Sequence, residues 1–432
     1  MKLRSISGLG KVVSFAEAVE RGIAEDGGLY MPVRIPRFGG DFFASIVSLS
    51  FPEIAFRVAQ LLLEREIPDA DLRTIVENAM TFPAPLHDLD EQTALLELFH
   101  GPTLAFKDFG ARYMARTMEY LHRNDSHEVT VLVATSGDTG SAVAHGFSNV
   151  QRIRVCLLYP SRRVSKIQEQ QLTTLGGNTT ALEVAGSFDD CQRLVKQAFA
   201  DKDLAGRLNL TSANSINIAR LVPQTFYYFN AYARRREKSL PVVFSVPSGN
   251  LGNLTAGIMA WKMGLPAERF VAATNANDVF TRFLGTGEFR PSQSVATLSN
   301  AMDVGNPSNF VRIRHLFDGD VDAMRKILFS ASFTDRQTRG CISHAYARSG
   351  YILDPHGAVG VLALNSFRRQ EKRAVQGIVL ETAHPAKFLD IYDEAIRQVI
   401  SVPDRLRESL EKKKECVPIS SKYEDLKEYL LN

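Results

Sequence analysis

Cysteine is scarce in this chain: Cys156, Cys191, Cys341 and Cys416 are its four, far apart and with no CxxC pair among them. That excludes a structural zinc ribbon and a disulfide framework, and it fits a reducing compartment. No apolar run is long enough to span a bilayer, and the opening MKLRSISGLGKVVSFAEAVERG lacks the apolar stretch and small-residue cleavage site of an export signal. A cytoplasmic location is therefore expected, with no membrane partner. Charge of one sign is also missing. The net charge is +3, and the short basic runs Arg234 to Arg236 and Lys412 to Lys414 carry no interleaved aromatics, so no nucleic-acid partner is expected. Neither GxxxxGK nor GxGxxG occurs, which removes the P-loop and the Rossmann dinucleotide turn. No HxxxH pair or acidic cluster suggests a metal, and no internal repeat or low-complexity tract is present.

What is there reads as an enzyme of ordinary composition, with 45% hydrophobic and 23% charged residues in 432 positions. That length calls for more than one core. To about Leu95, helical stretches such as Phe15 to Arg21 and Ile54 to Arg65 alternate with proline-marked turns, giving an N-terminal, mainly helical lobe over 1–95. Beyond it the pattern becomes apolar strand, glycine- or serine-rich turn, amphipathic helix: TALLELF, VTVLVA and IRVCLLY first, then PVVFSV, RFVAATN and GIVLETAHP. Such alternation implies parallel strands joined by crossover helices. The expected division is a smaller α/β domain over 96–205, a larger one over 206–403, and a charged C-terminal helical segment over 404–432.

Three turns and one lysine carry the candidate chemistry. Lys107 lies in FHGPTLAFKDF among apolar and small residues at a helix start, where desolvation would lower its pKa and favour the free amine. A snorkelling or ion-paired lysine is the plainer alternative. SGNLGN, Ser248 to Asn253, follows a strand and opens a helix. Its glycines let main-chain N–H groups approach an anion, and the helix dipole favours negative charge there, with the side chains of Ser248, Asn250 and Asn253 adding donors. ATSGDTGSA makes a second polar nest around Thr135, Ser136 and Thr139. SANSINIAR sets Asn214, Ser215, Asn217 and Arg220 where an anion would meet amides and one guanidinium. Each turn also has a capping or turn-forming explanation. His100, His356 and His384 read as structural.

The ordered set LAFKD, SGDTG, NSIN, SGNLGN and TAHPAKF, together with EDGGLYMP, ATLSNAMDVGNPSN and LDPHGAVG, resembles the threonine synthases across nearly the whole chain. The resemblance implies a pyridoxal-phosphate enzyme of fold type II, an α/β protein with two open, mostly parallel three-layer units and a helical N-terminal lobe. It implies that Lys107 forms the Schiff base with pyridoxal 5'-phosphate, that Ser248, Gly249, Asn250, Leu251, Gly252 and Asn253 hold the cofactor phosphate, and that Thr382 faces the pyridine nitrogen. Asp138 falls where the wider fold group often has an asparagine near the cofactor's phenolate oxygen; an ionised carboxylate accepts but cannot donate. Thr135, Ser136, Asn214, Arg220 and, at a surface helix, Lys166 are the implied substrate group. Glu381 stands beside Thr382 where a smaller residue is more usual, and strand alternation turns it away from the ring. The implied reaction takes O-phospho-L-homoserine and water to L-threonine and phosphate, in a monomer or homodimer. A dehydratase or phospholyase of the same fold would share Lys107 and SGNLGN without needing the anion subsite at Asn214 and Arg220.

Overall fold

The computed structural model describes residues 1–124, 127–135 and 137–432. Among these, the strands form three sheets. A six-stranded sheet runs in the order Leu328–Ser332, Ala267–Thr274, Val242–Pro247, Gln376–Glu381, Thr93–Glu97, Leu86–Asp88, parallel throughout except for the last pair. A five-stranded sheet, all parallel, runs Val417–Ser420, Thr179–Ala185, Ile153–Pro160, Val129–Ala134, Asn209–Ser212. Leu3–Ser5 and Tyr30–Pro32 pair antiparallel in the N-terminal lobe. The two large parallel sheets with their crossover helices are the open α/β architecture of fold type II.

The local chemistry explains the elements. VTVLVA is buried along its entire length, as a parallel strand covered on both faces must be, and each of Val131, Leu132 and Val133 contributes about 1.5–3 kcal/mol by leaving water. In the lobe, the helix Phe51–Leu63 opens on a reciprocal Ser50–Glu53 capping box with proline in its first turn. It then buries Ile54, Ala55, Val58, Ala59, Leu62 and Leu63 on one stripe.

Three strands lie away from where the sequence pattern grouped them. Thr93–Glu97 was expected to begin the smaller unit but pairs with Gln376–Glu381 in the six-stranded sheet. Asn209–Ser212, expected at the start of the larger unit, pairs with Val129–Ala134 in the five-stranded one. The C-terminal segment is not helix alone: Val417–Ser420 adds an edge strand to the five-stranded sheet, and the helix after it, Tyr423–Leu431, buries Leu426 and Leu430 against Leu182, Val184, Cys191 and Leu194. Partner choice between strands depends on packing across hundreds of residues, which a local pattern does not carry. The turns at Thr135–Gly140 and Ser248–Asn253, and Thr382 after Gln376–Glu381, all stand at carboxyl ends of parallel strands, where open α/β folds bind ligands.

Candidate active site

Lys107 is the first residue of the helix Lys107–Leu121. The loop that delivers it is tied down at two points. Phe106 N–H donates to the Thr382 carbonyl at 2.9 Å and His384 N–H to the Leu104 carbonyl at 3.0 Å, a short antiparallel ladder centred on Ala105 and Ala383. Thr103 donates its N–H and its hydroxyl to the buried Asp108 carboxylate at 2.9 and 2.8 Å. Burial raises Asp108 to about 6, against the pull of Thr103. The ladder brings Lys107 and Thr382 to one place although 275 positions of sequence separate them. Lys107 lies half-buried, its Nζ 4.7 Å from the centre of the Phe106 ring. Burial lowers its pKa to about 8; Asp138 opposes this, and Arg220 and Lys387 reinforce it. An amine so placed is free far more often near neutral pH than an ordinary lysine.

The Ser248–Asn253 turn meets the helix Gly252–Lys262, whose first turn has no side-chain cap. Leu251 takes the left-handed conformation (φ 61°) that turns the chain into the helix. At Gly249 the Met302 backbone comes so close that a Cβ would stand 2.6 Å from its Cα. Two of the three expected side-chain donors are committed elsewhere. Ser248 donates its hydroxyl to the Val246 carbonyl at 2.7 Å, and Asn250 donates to Ser215 Oγ at 2.7 Å while accepting from Ser308 N–H at 2.6 Å. Both therefore shape the loop. Asn253 differs: Tyr227 and Tyr228 donate their hydroxyls to its Oδ1 at 2.7 and 2.8 Å, which fixes the amide, and its buried Nδ2 has no acceptor in the protein. An uncapped helix end with an orphaned amide donor fits a phosphate group.

Thr382 is 6% exposed, and its hydroxyl makes no hydrogen bond among the described residues. Its N–H donates to Asp354 Oδ2 at 3.2 Å, as does that of Ala383 at 3.4 Å. Asp354 Oδ1 stands 2.5 Å from His356 Nδ1. Burial works against the charged form of Asp354, and His356 outweighs it. Glu381, fully buried beside Gly357, is driven well above its usual value by burial and by the Asp354 charge. This acid pair behind Thr382 was not legible beforehand beyond the orientation of Glu381. In the sequence LDPHGAVG carries a likeness and no assigned role.

On the other sheet the outcome is mixed. Thr135 spends its hydroxyl within its own turn, accepting from Gly137 and Gly140 N–H at 3.0 and 2.9 Å, which braces the nest. Ser136 lies outside the described residues. Asn214 donates to the Ala134 carbonyl at 2.8 Å, tying its segment to the end of Val129–Ala134. Arg220, 2% exposed, lies against Gly110 of the Lys107 helix, where an added Cβ would come within 2.8 Å of its Nε. Its Nη1 donates to the Ala213 carbonyl at 2.5 Å while Nε has no acceptor, and burial lowers its pKa to about 10. Lys166 is exposed at the start of the helix Lys166–Thr173 and is not part of the cluster. Two positions along, Gln168 turns inward and donates to Asp138 Oδ1 at 3.1 Å. Asp138 also accepts from Lys387 Nζ at 2.6 Å, and its carboxyl stays below its usual range although burial opposes this, chiefly through Lys387. Gln168 and Lys387 were both missed. The histidines keep structural places: His100 pairs with Glu97 at 2.7 Å, and His384 accepts from Ala386 N–H at 3.1 Å. Among the described residues no cluster could hold a metal, and no helix is long and apolar enough to cross a membrane.

Comparison with known proteins agrees with this geometry. The family model described as pyridoxal-phosphate dependent enzyme matches residues 81–381, that for the threonine synthase N terminus residues 3–80, and that for the threonine synthase C-terminal region residues 357–430. Threonine synthase of Haemophilus influenzae is 43% identical over all of both chains, and that of Escherichia coli 42% identical over 94% of each. The crystal structure of the Escherichia coli enzyme superposes with a TM-score of 0.92 at 40% identity, covering all of both chains. A structure of threonine synthase from Brucella melitensis with PLP bound superposes with the same TM-score at 35% identity, covering 100% of this chain and 98% of that one. More distant likenesses, such as diaminopropionate ammonia lyase from Escherichia coli at 16% identity and a TM-score of 0.57, show the shared fold alone. With likeness of this extent from one end to the other, the chain belongs to the threonine synthase family, and its cofactor is pyridoxal phosphate.

Proposed function

We propose that the protein converts O-phospho-L-homoserine and water into L-threonine and inorganic phosphate, with Lys107 as its base and Arg220 as the cation for the substrate's phosphate. The observation that carries the substrate reading is Arg220. A guanidinium only 2% exposed, whose side-chain hydrogen bond among the described residues is the one from Nη1 to the Ala213 carbonyl, lies within electrostatic reach of Lys107 and would supply the charge for a second anion, apart from the uncapped helix that fits the cofactor phosphate. Lys107 would carry the cofactor, the main-chain N–H groups of Gly249 to Asn253 and Asn253 Nδ2 would hold its phosphate, and Thr382 would meet its ring nitrogen.

Bound there, pyridoxal phosphate supplies an electron sink that acidifies the substrate's Cα and then its Cβ hydrogens. A neutral hydroxyl at Thr382 would leave a ring nitrogen there less fully protonated than a carboxylate would, and so would temper that sink. The Lys107 amine would take the Cα proton and later the Cβ proton. Phosphate would depart from Cγ toward Arg220, and Lys107 would return the two protons at Cγ and Cα, while water adds its hydroxyl at Cβ and its remaining proton leaves with the phosphate. Positioned proton transfer of this kind contributes about 10²- to 10⁴-fold at each step it serves. Asn214 and the braced 135–140 turn set the rim around the substrate carboxylate.

The cysteines, unpaired among the described residues, accord with a cytoplasmic enzyme, for which a monomer or homodimer is our reading. Incubating the purified holoenzyme with O-phospho-L-homoserine should yield phosphate and threonine in equal amounts. Phosphate with 2-oxobutyrate and no threonine would instead assign a lyase.

A further inference from the structure

Lys387 is a lysine with no exposed side-chain surface, lying in the short helical stretch Pro385–Ile391 that follows Thr382. Its ammonium donates to Asp138 Oδ1 at 2.6 Å and to the Thr103 carbonyl at 3.0 Å. We infer that Lys387 is a positioning residue for Lys107: by holding the Asp138 carboxylate and the Thr103 loop, it denies Lys107 an ion-pair partner and keeps its amine free. The inference rests on reading Lys107 as the cofactor-bearing amine.

The geometry supports this in two ways. Thr103 belongs to the loop that presents Lys107, and every polar group of that residue is engaged. Its N–H and hydroxyl go to Asp108, and its carbonyl accepts from Lys387 and, at 3.4 Å, from Gln171. Lys387 thus clamps the loop from the side opposite Asp108. The second argument is charge. The groups facing Lys107 from packed elements are Asp138 on the helix Asp138–Phe147, Arg220 on the helix Ile218–Leu221 and Lys387 itself, with Asp108 next in its own chain occupied by Thr103. Asp138 is the one anion among the facing three. Its Oδ1 is taken by Lys387 and Gln168, and among the described residues no hydrogen bond joins it to Lys107. Remove Lys387, and a buried carboxylate loses its counter-ion beside a second lysine; pairing with Lys107 is then its remedy, and that pairing favours the ammonium form.

The test uses the full chain stripped of cofactor. Lys107 is followed by its rate of reductive methylation with formaldehyde as pH is varied, with peptide mass spectrometry separating it from Lys387. Lys387→Met should move the Lys107 titration up by about one pH unit, Asp138→Asn should move it down by a similar amount, and Lys387→Arg should leave it near that of the unaltered chain. Opposite shifts from two members of one pair are not produced by a general loosening of the site. An unchanged titration in Lys387→Met, or shifts of the same sign in both variants, overturns the inference. If Lys387→Met does not fold, Asp138→Asn decides: a downward shift supports the assignment, and no shift or an upward one defeats it. Amine titration is independent of which substrate the enzyme turns over, so failure here and failure of the threonine assay are distinguishable.

Discussion

At the residue scale, the site depends on which polar atoms are already spent. Lys107 was legible because its apolar neighbours and helix-start position imply a perturbed amine, and Asn253 because it ends a glycine-rich turn. The roles of Ser248, Asn250 and Thr135 were not. A hydroxyl or amide at such a turn can face a ligand or its own chain, and the choice is made by Val246, Ser215 and Ser308, the last of them 58 positions away. Two expectations follow. Lys107→Ala should lower turnover by at least about 10³-fold and abolish the visible absorbance of the lysine-linked cofactor, measured on purified protein at equal cofactor loading. Asn253→Asp exchanges the orphaned donor for a charged acceptor beside a phosphate. The loss of one such hydrogen bond, about 1.5–3 kcal/mol, should weaken cofactor binding roughly 10- to 100-fold in a fluorescence titration.

At the element scale, the long strands and the helices with clear caps could be read directly. The edge strand Val417–Ser420 could not, because four residues with a proline between charged helices give almost no period to detect. Its seat is prepared by side chains instead. Lys414, just ahead of it, donates to Glu183 at 2.8 Å and Glu169 at 2.7 Å, while Ser161 donates to Glu183 at 2.7 Å. Lys414 and then Ser161 hold the Glu183 carboxyl at about 2, below its usual 4.5. A carboxyl pKa depressed by folding stabilises the native state fully above its unfolded value and loses that contribution as pH falls through the folded one. The stabilisation from Glu183 should therefore disappear between pH 4.5 and about 2. Glu183→Gln should flatten that part of the acid limb, seen as a smaller change in urea midpoint between pH 5 and pH 3 than in the unaltered chain.

At the scale of the whole molecule, the α/β class and its parallel sheets were visible in the alternation of strands and helices, but the borders between units were not. The chain crosses between sheets more often than a linear division allows: Thr93–Glu97 belongs with strands that come some 150 positions later or more, and Val417–Ser420 with strands that come over 200 earlier. A chain ending at Glu411 would lack the edge strand and the helix burying Leu426 and Leu430, a loss of about 3–6 kcal/mol from those two side chains alone. Its melting midpoint should fall by several degrees, and the newly open edge of Thr179–Ala185 should make it aggregate on heating, both read by scanning calorimetry with light scattering.

The ladder between Leu104–Phe106 and Thr382–His384 carries a last consequence, one of descent. It fastens Lys107 to the same sheet that carries the uncapped helix and Thr382, so these three hang on one half of the protein. The five-stranded half contributes the turn braced by Thr135 and tied to Asn214, which the proposed function sets around the substrate. Inheritance that rewrote that half would leave those three in place.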